Sequence, residues 1–280
     1  MNVIKLSSPA ARGYWEIPVL FEDAHLLALD KPAGLLTSPD RYDPDRPNLM
    51  KLLHAGIAAA KPWAKERSLT YLSNAHRLDF ETSGVILLAK SKEVLVTLAN
   101  LFGSEKPAKG YLALVRGEPP EKQFEVDAKL APHPVKPGLM RVDPKNGKKS
   151  KTRFEVLEDY AKFGYALLRC EPLTGRTHQI RVHAAHAGLK IVGDELYGGK
   201  SLWLSRLKPD YRLKPGKEER PLLARVALHA ETLALPHPVT GQTVTITAPW
   251  PKDLKVAVKY LRQYSGGFAE ENKANEGDVS

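Results

Sequence analysis

The stretch HRLDFETSGVILLAK, residues 76–90, joins a short polar segment to an unbroken apolar run. Residues 84–90 show no polar alternation, and a run of this length after a turn predicts a strand buried on both faces. The polar segment before it carries one carboxylate, Asp79, two positions after Arg77. An ordinary turn explains this arrangement, and so does a carboxylate that is held for chemistry where a central strand begins.

Short apolar runs separated by turn residues continue on both sides of this stretch. Residues 25–31 read as a second strand buried on both faces, whereas 109–118 and 152–160 alternate and predict half-exposed strands. Further strands are predicted at 163–173 and 243–250. Helices are fewer and do not alternate regularly with the strands. The pattern therefore predicts an α+β fold with a mixed, mostly antiparallel sheet and flanking helices.

Three segments carry apolar residues at helical spacing. They are residues 47–63, ending at Pro62; 91–104, from a Ser91 cap to Gly103; and 177–188, from a Thr177 cap to Gly188. Residues 201–220 form a basic insertion punctuated by proline, which predicts a long surface loop. Residues 263–280 are polar and predict a disordered tail.

The composition is that of a soluble globular protein, with 42% hydrophobic and 26% charged residues. Neither a signal peptide nor a run of membrane-spanning length is visible. The only cysteine, Cys170, lies in an apolar run and is expected to be buried, which fits a cytoplasmic location. The net charge of +10 suggests a polyanionic partner, although a solubilising surface explains the excess equally well.

Several classes of enzyme find no support in the motifs. A metal site is suggested by three nearby histidines, His178, His183 and His186, but no carboxylate or thiol stands at a convincing ligand spacing. The sequence has no G-x-S-x-G elbow, dinucleotide fingerprint or Walker A loop. A glycosidase needs two separated carboxylates, and Glu81 lies too close to Asp79 for that role. We therefore expect neither a metal nor a nucleotide cofactor.

Taken together, the motifs resemble those of the RluA-type pseudouridine synthases, which isomerise uridine in RNA. HRLDFETSGVILLAK is similar to the catalytic motif of that family. Four further segments agree in order: LALDKPAGLLTSP (27–39), KGYLALVRG (109–117), NGKKSKTRFEVLE (146–158) and LTGRTHQIRVHAAHAGLKIVGDELYGG (173–199). With LHAETLALPHPVTGQTVTITAP (228–249), the resemblance runs from about Ile17 to Leu254. It implies a pseudouridine synthase-like catalytic domain over 17–262, preceded by an extension over 1–16.

The resemblance assigns roles to three catalytic residues. Asp79 matches the essential aspartate, which promotes cleavage of the glycosidic bond of a uridine flipped out of its RNA. Arg181 matches the arginine that pairs with this aspartate. Tyr111 matches the tyrosine that lies on the flipped uracil, and its phenol is a candidate base for the C5 proton. Whether the aspartate adds to C1′ or removes a ribose proton stays open.

The remaining expectations concern the partner. The resemblance implies contacts with tRNA or ribosomal RNA from His76, Arg77, Lys109, Arg176, His178, Gln179 and Ile180, with Val182 as an alternative to Ile180. Many relatives carry a preceding S4-type RNA-binding domain, and here we expect a stand-alone catalytic domain. The 201–220 loop is then the first candidate for selecting the RNA substrate. We expect a monomer that acts in the cytoplasm without a membrane or cofactor. The competing hypothesis is an RNA-binding or assembly protein with little activity on the same fold.

Overall fold

The structure is a computed structural model that describes residues 2–8, 13–40, 43 and 45–266. The chain forms two compact units. The first unit comprises Met1–Tyr111 with His229–Pro249, and the second comprises Leu112–Leu228 with Trp250–Ser280. Residues 267–280 of the predicted tail lie outside the described residues. None of the helices in the described ranges is both long enough and apolar enough to span a membrane.

Strands and helices are numbered in chain order. The strands are β1 (Val3–Ser8), β2 (Gly13–Glu22), β3 (Leu26–Lys31), β4 (Ser73–Asn74), β5 (Ser83–Ala89), β6 (Ala108–Arg116), β7 (Gln123–Asp127), β8 (Leu130–Pro132), β9 (Met140–Val142), β10 (Lys151–Tyr160), β11 (Tyr165–Pro172), β12 (Lys190–Ile191), β13 (Leu228–Pro236) and β14 (Thr243–Thr247). The helices are α1 (Leu49–Ala58), α2 (Pro62–Lys65), α3 (Lys92–Gly103), α4 (Gln179–His186) and α5 (Lys252–Ser265). Sheets dominate and helices flank them, so the predicted α+β class is confirmed.

The sheet of the first unit has the strand order β1-β2-β3-β5-β13, with β4 beside β5 and β14 beside β13. Its neighbours are antiparallel except β5 and β13, which run parallel where Ser83 faces His229 and Gly84 faces Ala230. A Cβ atom on Gly84 would lie 2.1 Å from the Ala230 carbonyl oxygen, so only glycine permits this approach. The mixed, mostly antiparallel sheet predicted from the sequence is thereby confirmed.

Leu26–Leu29 of β3 and Val85–Ala89 of β5 are apolar without interruption because each run serves two hydrophobic clusters. In β5, Ile86 and Leu88 belong to one cluster, which also contains Leu53 and Trp63 from α1 and α2. Val85, Leu87 and Ala89 point the other way and join a cluster with Val94 and Leu98 of α3. All seven residues of β5 are buried, as the sequence predicts.

The second unit contains a sheet with the order β6-β11-β10-β7, and β12 pairs with the end of β6. A separate hairpin, β8–β9, pairs Leu130 with Val142. Helix α5 buries Leu254, Ala257, Val258 and Leu261 along one side. Cys170 is buried in β11, as predicted, and burial raises the pKa of its thiol.

Several sequence predictions need correction. Helix α4 begins one residue later than predicted, because His178 and not Thr177 is its N-cap residue. Residues 112–115 of β6 are buried without alternation, so that strand is not half-exposed. Helix α5 was not predicted, and it includes residues 263–265 of the expected tail. Residues 3–8 of the expected N-terminal extension form β1, which pairs with β2 from Val3–Pro18 to Ser8–Gly13.

Candidate active site

Asp79 lies in the loop between β4 and β5, at the entry to the buried strand. The loop turns at this residue, since the Thr82 amide donates to the Asp79 carbonyl oxygen at 3.2 Å. Leu78 is buried, whereas Arg77 is exposed and Asp79 is partly buried. A ligand arriving from solvent can therefore reach Arg77, as its predicted role in RNA binding requires.

The first unit brings Asp79 within electrostatic range of Tyr111. Burial raises the pKa of the Tyr111 phenol, and the negative charge of Asp79 raises it further. The phenol is therefore protonated at neutral pH, where it can donate a hydrogen bond or pack against a base. A raised pKa disfavours the phenolate, which is the form in which Tyr111 would act as a base, and both roles of this residue stay predictions.

Gly110, immediately before Tyr111, permits a close contact within the first unit. A Cβ atom at this position would lie 2.3 Å from Oγ1 of Thr232. Glycine at this position allows tight packing beside the tyrosine. Lys109 is partly buried, and its charge acts on His76.

His76 connects the beginning of the Asp79 loop to β5 through a hydrogen bond. Its Nε2 accepts a hydrogen bond from the Leu87 amide at 3.1 Å, and its ring stacks on Phe102 with 4.9 Å between centroids. Burial lowers the pKa of His76 to about 4, and the charge of Lys109 adds to the effect. The imidazole is neutral at pH 7, so its predicted contribution to RNA binding cannot come from a positive charge.

Arg181 lies in α4 of the second unit and makes a buried ion pair. Its Nε and Nη2 atoms each donate to a different oxygen of Asp194 at 2.7 Å. The side chains of Arg181 and Asp194 are 3% and 1% exposed. The Tyr197 ring lies 5.1 Å from the guanidinium carbon. The pairing of Arg181 with Asp79 would join residues of different units, and it stays a prediction.

The sequence analysis did not single out Asp194 and Tyr197, the two neighbours of Arg181, although both stand in a motif that carried the resemblance. A signal was available, because an arginine on an apolar helix face needs a carboxylate when it is buried. The loop that holds Asp194 is wound tightly: a Cβ on Gly199 would lie 1.9 Å from the Ile191 carbonyl oxygen. Glycine at that position is thus required to place Asp194.

Gln179 organises the beginning of α4 instead of offering its amide to a ligand. Its Oε1 accepts from the Thr174 hydroxyl and the Arg176 amide at 2.6 and 3.0 Å. Its Nε2 donates to the Lys151 carbonyl and the Thr152 hydroxyl at 2.9 and 3.0 Å. All four hydrogen-bonding positions of the amide are used, which argues against the predicted direct contact with RNA.

The other residues predicted in this segment differ in access. Ile180 and Val182 are both 5% exposed. Arg176 is partly buried, and its Nε donates to the Lys149 carbonyl oxygen at 3.1 Å. His178 has a φ of 53°, in the left-handed region that favours glycine, and its Nδ1 lies 2.8 Å from the Tyr197 hydroxyl. Strain of this kind is often found where a structure holds functional side chains.

Two of the three histidines considered for a metal site, His178 and His183, have other partners. His183 is buried between the Thr152 hydroxyl at Nδ1 and the Ala128 carbonyl at Nε2, each 2.9 Å away. Burial lowers the pKa of His183. Over the residues that the structure describes, no group of three or more His, Cys, Asp or Glu side chains is arranged to hold a metal ion.

The 201–220 loop presents a positively charged surface in the second unit. It contains one short 3-10 turn at Leu204–Arg206 and an isolated antiparallel bridge from Leu202 to Leu223, and the rest is irregular. Leu202 and Leu207 are buried and anchor it. Its exposed basic side chains are Arg206, Lys208, Arg212, Lys214, Lys217 and Arg220.

Comparison with known proteins agrees with the motifs. A family model described as RNA pseudouridylate synthase matches residues 25–186. Ribosomal large subunit pseudouridine synthase C of Salmonella typhi is 38% identical over 246 residues, covering 87% of this chain and 70% of the relative. Ribosomal large subunit pseudouridine synthase D of Nitrosomonas europaea is 37% identical over 248 residues, with coverages of 88% and 65%.

Solved structures with the same fold include two human proteins. RNA pseudouridylate synthase domain containing 4 has a TM-score of 0.64 and 24% identity, over 87% of this chain and 92% of the other. RNA pseudouridylate synthase domain containing 1 has a TM-score of 0.60, 24% identity and 84% coverage of each chain. At this identity the likeness shows the fold.

The match to the family model and the 37–38% identity to the relatives show the family as well, so the predicted RluA-type resemblance is confirmed. The chain therefore belongs to the RNA pseudouridylate synthase family and is a pseudouridine synthase, an enzyme of the isomerase class.

Proposed function

We propose that this pseudouridine synthase modifies uridine in large-subunit ribosomal RNA and that Asp79 carries the chemistry. Support for the class of RNA comes from the two bacterial relatives, whose names assign them to the ribosomal large subunit. A transfer RNA is the alternative that the sequence leaves open. The observation that carries the role of Asp79 is the effect of its negative charge on Tyr111, because these residues match the aspartate and the tyrosine of the family motifs.

The reaction is an isomerisation in which one bond to C1′ of the ribose replaces another. The bond between C1′ and N1 of uracil breaks, the base turns, and C1′ bonds to C5. The proton on C5 is lost and N1 gains one, so the formula of the nucleotide does not change. An ionised Asp79 beside the ribose promotes the first step, and the protonated Tyr111 supports the uracil ring while it turns.

The basic surface supplies the binding energy that the reaction needs. Flipping a nucleotide out of its stack costs a few kcal/mol, and phosphate contacts can offset that cost. The exposed Arg77 lies two residues from Asp79, and a planar guanidinium can both bind phosphate and stack on a base. The 201–220 loop, with its exposed lysines and arginines, is the surface that we assign to the RNA backbone.

The decisive experiment measures tritium release from RNA labelled at C5 of uracil. One arm contains large-subunit ribosomal RNA transcripts and the other contains bulk transfer RNA transcripts. We expect release from the ribosomal arm. Asp79→Asn keeps the size of the side chain but removes its charge, so release should stop while RNA affinity stays within about twofold.

Glu81→Gln is the matched control, since it removes one negative charge from the same loop. This variant should release tritium at the wild-type rate. Release by Asp79→Asn at a comparable rate would contradict the role of Asp79. A wild-type protein that binds both RNAs without releasing tritium from either would favour the competing RNA-binding function.

A further inference from the structure

One threonine hydroxyl holds both backbone polar groups of the residue before Asp79. Oγ1 of Thr37 donates to the Leu78 carbonyl oxygen at 3.0 Å and accepts from the Leu78 amide at 3.1 Å. Thr37 is 2% exposed and Leu78 is 4% exposed, so these bonds are shielded from water. On the other side of Asp79, the Gly34 amide donates to the Phe80 carbonyl oxygen at 2.8 Å. Both neighbours of Asp79 are thus bonded to the segment 31–37.

Segment 31–37 is itself held firmly within the first unit. Lys31 is fully buried, and its Nζ donates to the carbonyl oxygens of Pro32 and Leu35 at 2.9 and 2.7 Å. The carbonyl oxygens of Leu36 and Thr37 accept from the first two amides of helix α1, at 2.8 and 3.1 Å. The backbone that carries the Thr37 hydroxyl is therefore fixed in position, and the hydroxyl can restrain the Asp79 loop.

The geometry points to Thr37 as a positioning residue for Asp79. The φ and ψ angles at Leu78 and Phe80 set the direction in which the Asp79 side chain leaves the loop, and three hydrogen bonds from segment 31–37 fix those angles. Thr37 makes two of the three, and it does so without reaching the substrate. Because misplacement of a catalytic group by about 1 Å can cost 100-fold in rate, the loss of these two bonds slows the reaction. This inference rests on the proposed role of Asp79.

The test compares Thr37→Val with Thr37→Ser. Valine replaces the hydroxyl by a methyl group of similar size, whereas serine retains the hydroxyl and loses only a methyl group. With protein in excess over RNA labelled at C5, we expect the single-turnover rate of Thr37→Val to fall by about 10- to 100-fold while the Kd for RNA is unchanged. Thr37→Ser should recover most of the rate, which a purely packing role of the side chain would not produce.

Thr97→Val is the matched control, because Thr97 is exposed on α3 and its hydroxyl donates to the Glu93 carbonyl oxygen of the same helix. This variant should react like the wild type. If Thr37→Val does not fold, Thr37→Ala provides the same comparison with Thr37→Ser. An unchanged rate in the variant without the hydroxyl, or an equal loss in Thr37→Ser, would overturn the role of Thr37. Absence of tritium release from the wild type contradicts the proposed function instead, so the two failures can be told apart.

Discussion

Arg181 and Asp194 form a bidentate ion pair in which both side chains are almost completely removed from solvent. Moving two charges out of water is costly, and their mutual attraction offsets that cost only when the geometry is good. Here both bonds are 2.7 Å long and engage two nitrogens of the guanidinium. The arginine that the family resemblance assigns to the catalytic site is thus oriented by a carboxylate of its own unit.

Replacing Asp194 by asparagine should strongly destabilise the protein. The substitution leaves the Arg181 charge buried without its partner, for which we expect a loss of about 3–5 kcal/mol in the free energy of unfolding. The double variant Arg181→Met/Asp194→Leu removes both charges and should recover part of that loss. Urea unfolding of the single and double variants measures the difference.

Asp253→Asn provides a control with the same chemistry at a more exposed place. Arg225 also makes two bonds to one carboxylate, that of Asp253, at 2.7 and 2.9 Å. These side chains are 19% and 36% exposed, so the expected loss is about 1 kcal/mol. Equal losses at Asp194 and Asp253 would contradict the importance of burial.

The stability of the first unit should depend on pH through His76. Its pKa is lowered from 6.5 to about 4 in the folded protein, so the unfolded chain binds more protons between these values. The contribution of the neutral His76 to the free energy of unfolding is fully present above pH 6.5 and is lost as the pH falls toward 4. Its upper limit is about 3 kcal/mol. His76→Gln retains an acceptor for the Leu87 amide but does not titrate. It should flatten the stability profile in this range.

Urea unfolding at pH 7, 6, 5 and 4 tests this expectation against His186→Gln. His186 is exposed at the end of α4. Its replacement should leave the dependence of the free energy of unfolding on pH as steep as that of the wild type. A wild-type slope in His76→Gln would show that other groups cause the acid sensitivity.

A methyl group at position 110 should destabilise the protein because it meets Thr232. The added Cβ of Gly110→Ala would lie 2.3 Å from Oγ1 of Thr232, and overpacking of this kind costs about 1–3 kcal/mol. In a Thr232→Ala background the space is available, so the same substitution should cost less. Thermal unfolding of the four proteins gives the coupling, and strictly additive effects would contradict the close contact.

Neutralising basic side chains of the 201–220 loop should lower the affinity for RNA. It should also make that affinity less sensitive to the salt concentration. The variant replaces Lys208, Arg212, Lys214 and Lys217, all exposed, by glutamine. Each lost phosphate contact to single-stranded RNA lowers the slope of log K against log salt by about 0.7, so the slope should fall by up to about 3. Titrations at several salt concentrations measure it.

A second variant carries the same change of charge elsewhere. It replaces four exposed lysines of the first unit by glutamine: Lys61, Lys65, Lys92 and Lys106. It should keep a slope close to that of the wild type. If both variants lose affinity equally, net charge and not the loop accounts for binding.

The sequence by itself determined the family and the central strands. The run VILLA at 85–89 has only apolar side chains, so it had to be covered on both faces, and two clusters cover it. The Ser91 cap and Gly103 placed α3 correctly because both signals act within a few residues. Two motifs of the family resemblance named Asp79 and Tyr111, and the structure brings that pair within electrostatic range.

Contacts between distant parts of the chain were decided only by the tertiary structure. Thr37 and Leu78 are 41 residues apart, and nothing in either segment marks the hydroxyl that joins them. The neutrality of His76 comes from burial, which a list of residues does not show. Gln179, which the motif offered as a ligand to RNA, is instead occupied by groups up to 28 residues away. The sequence could name the aspartate, but only folding could bring together the hydrogen bonds that hold it, because hydrogen bonds act over about 3 Å of space and not along the chain.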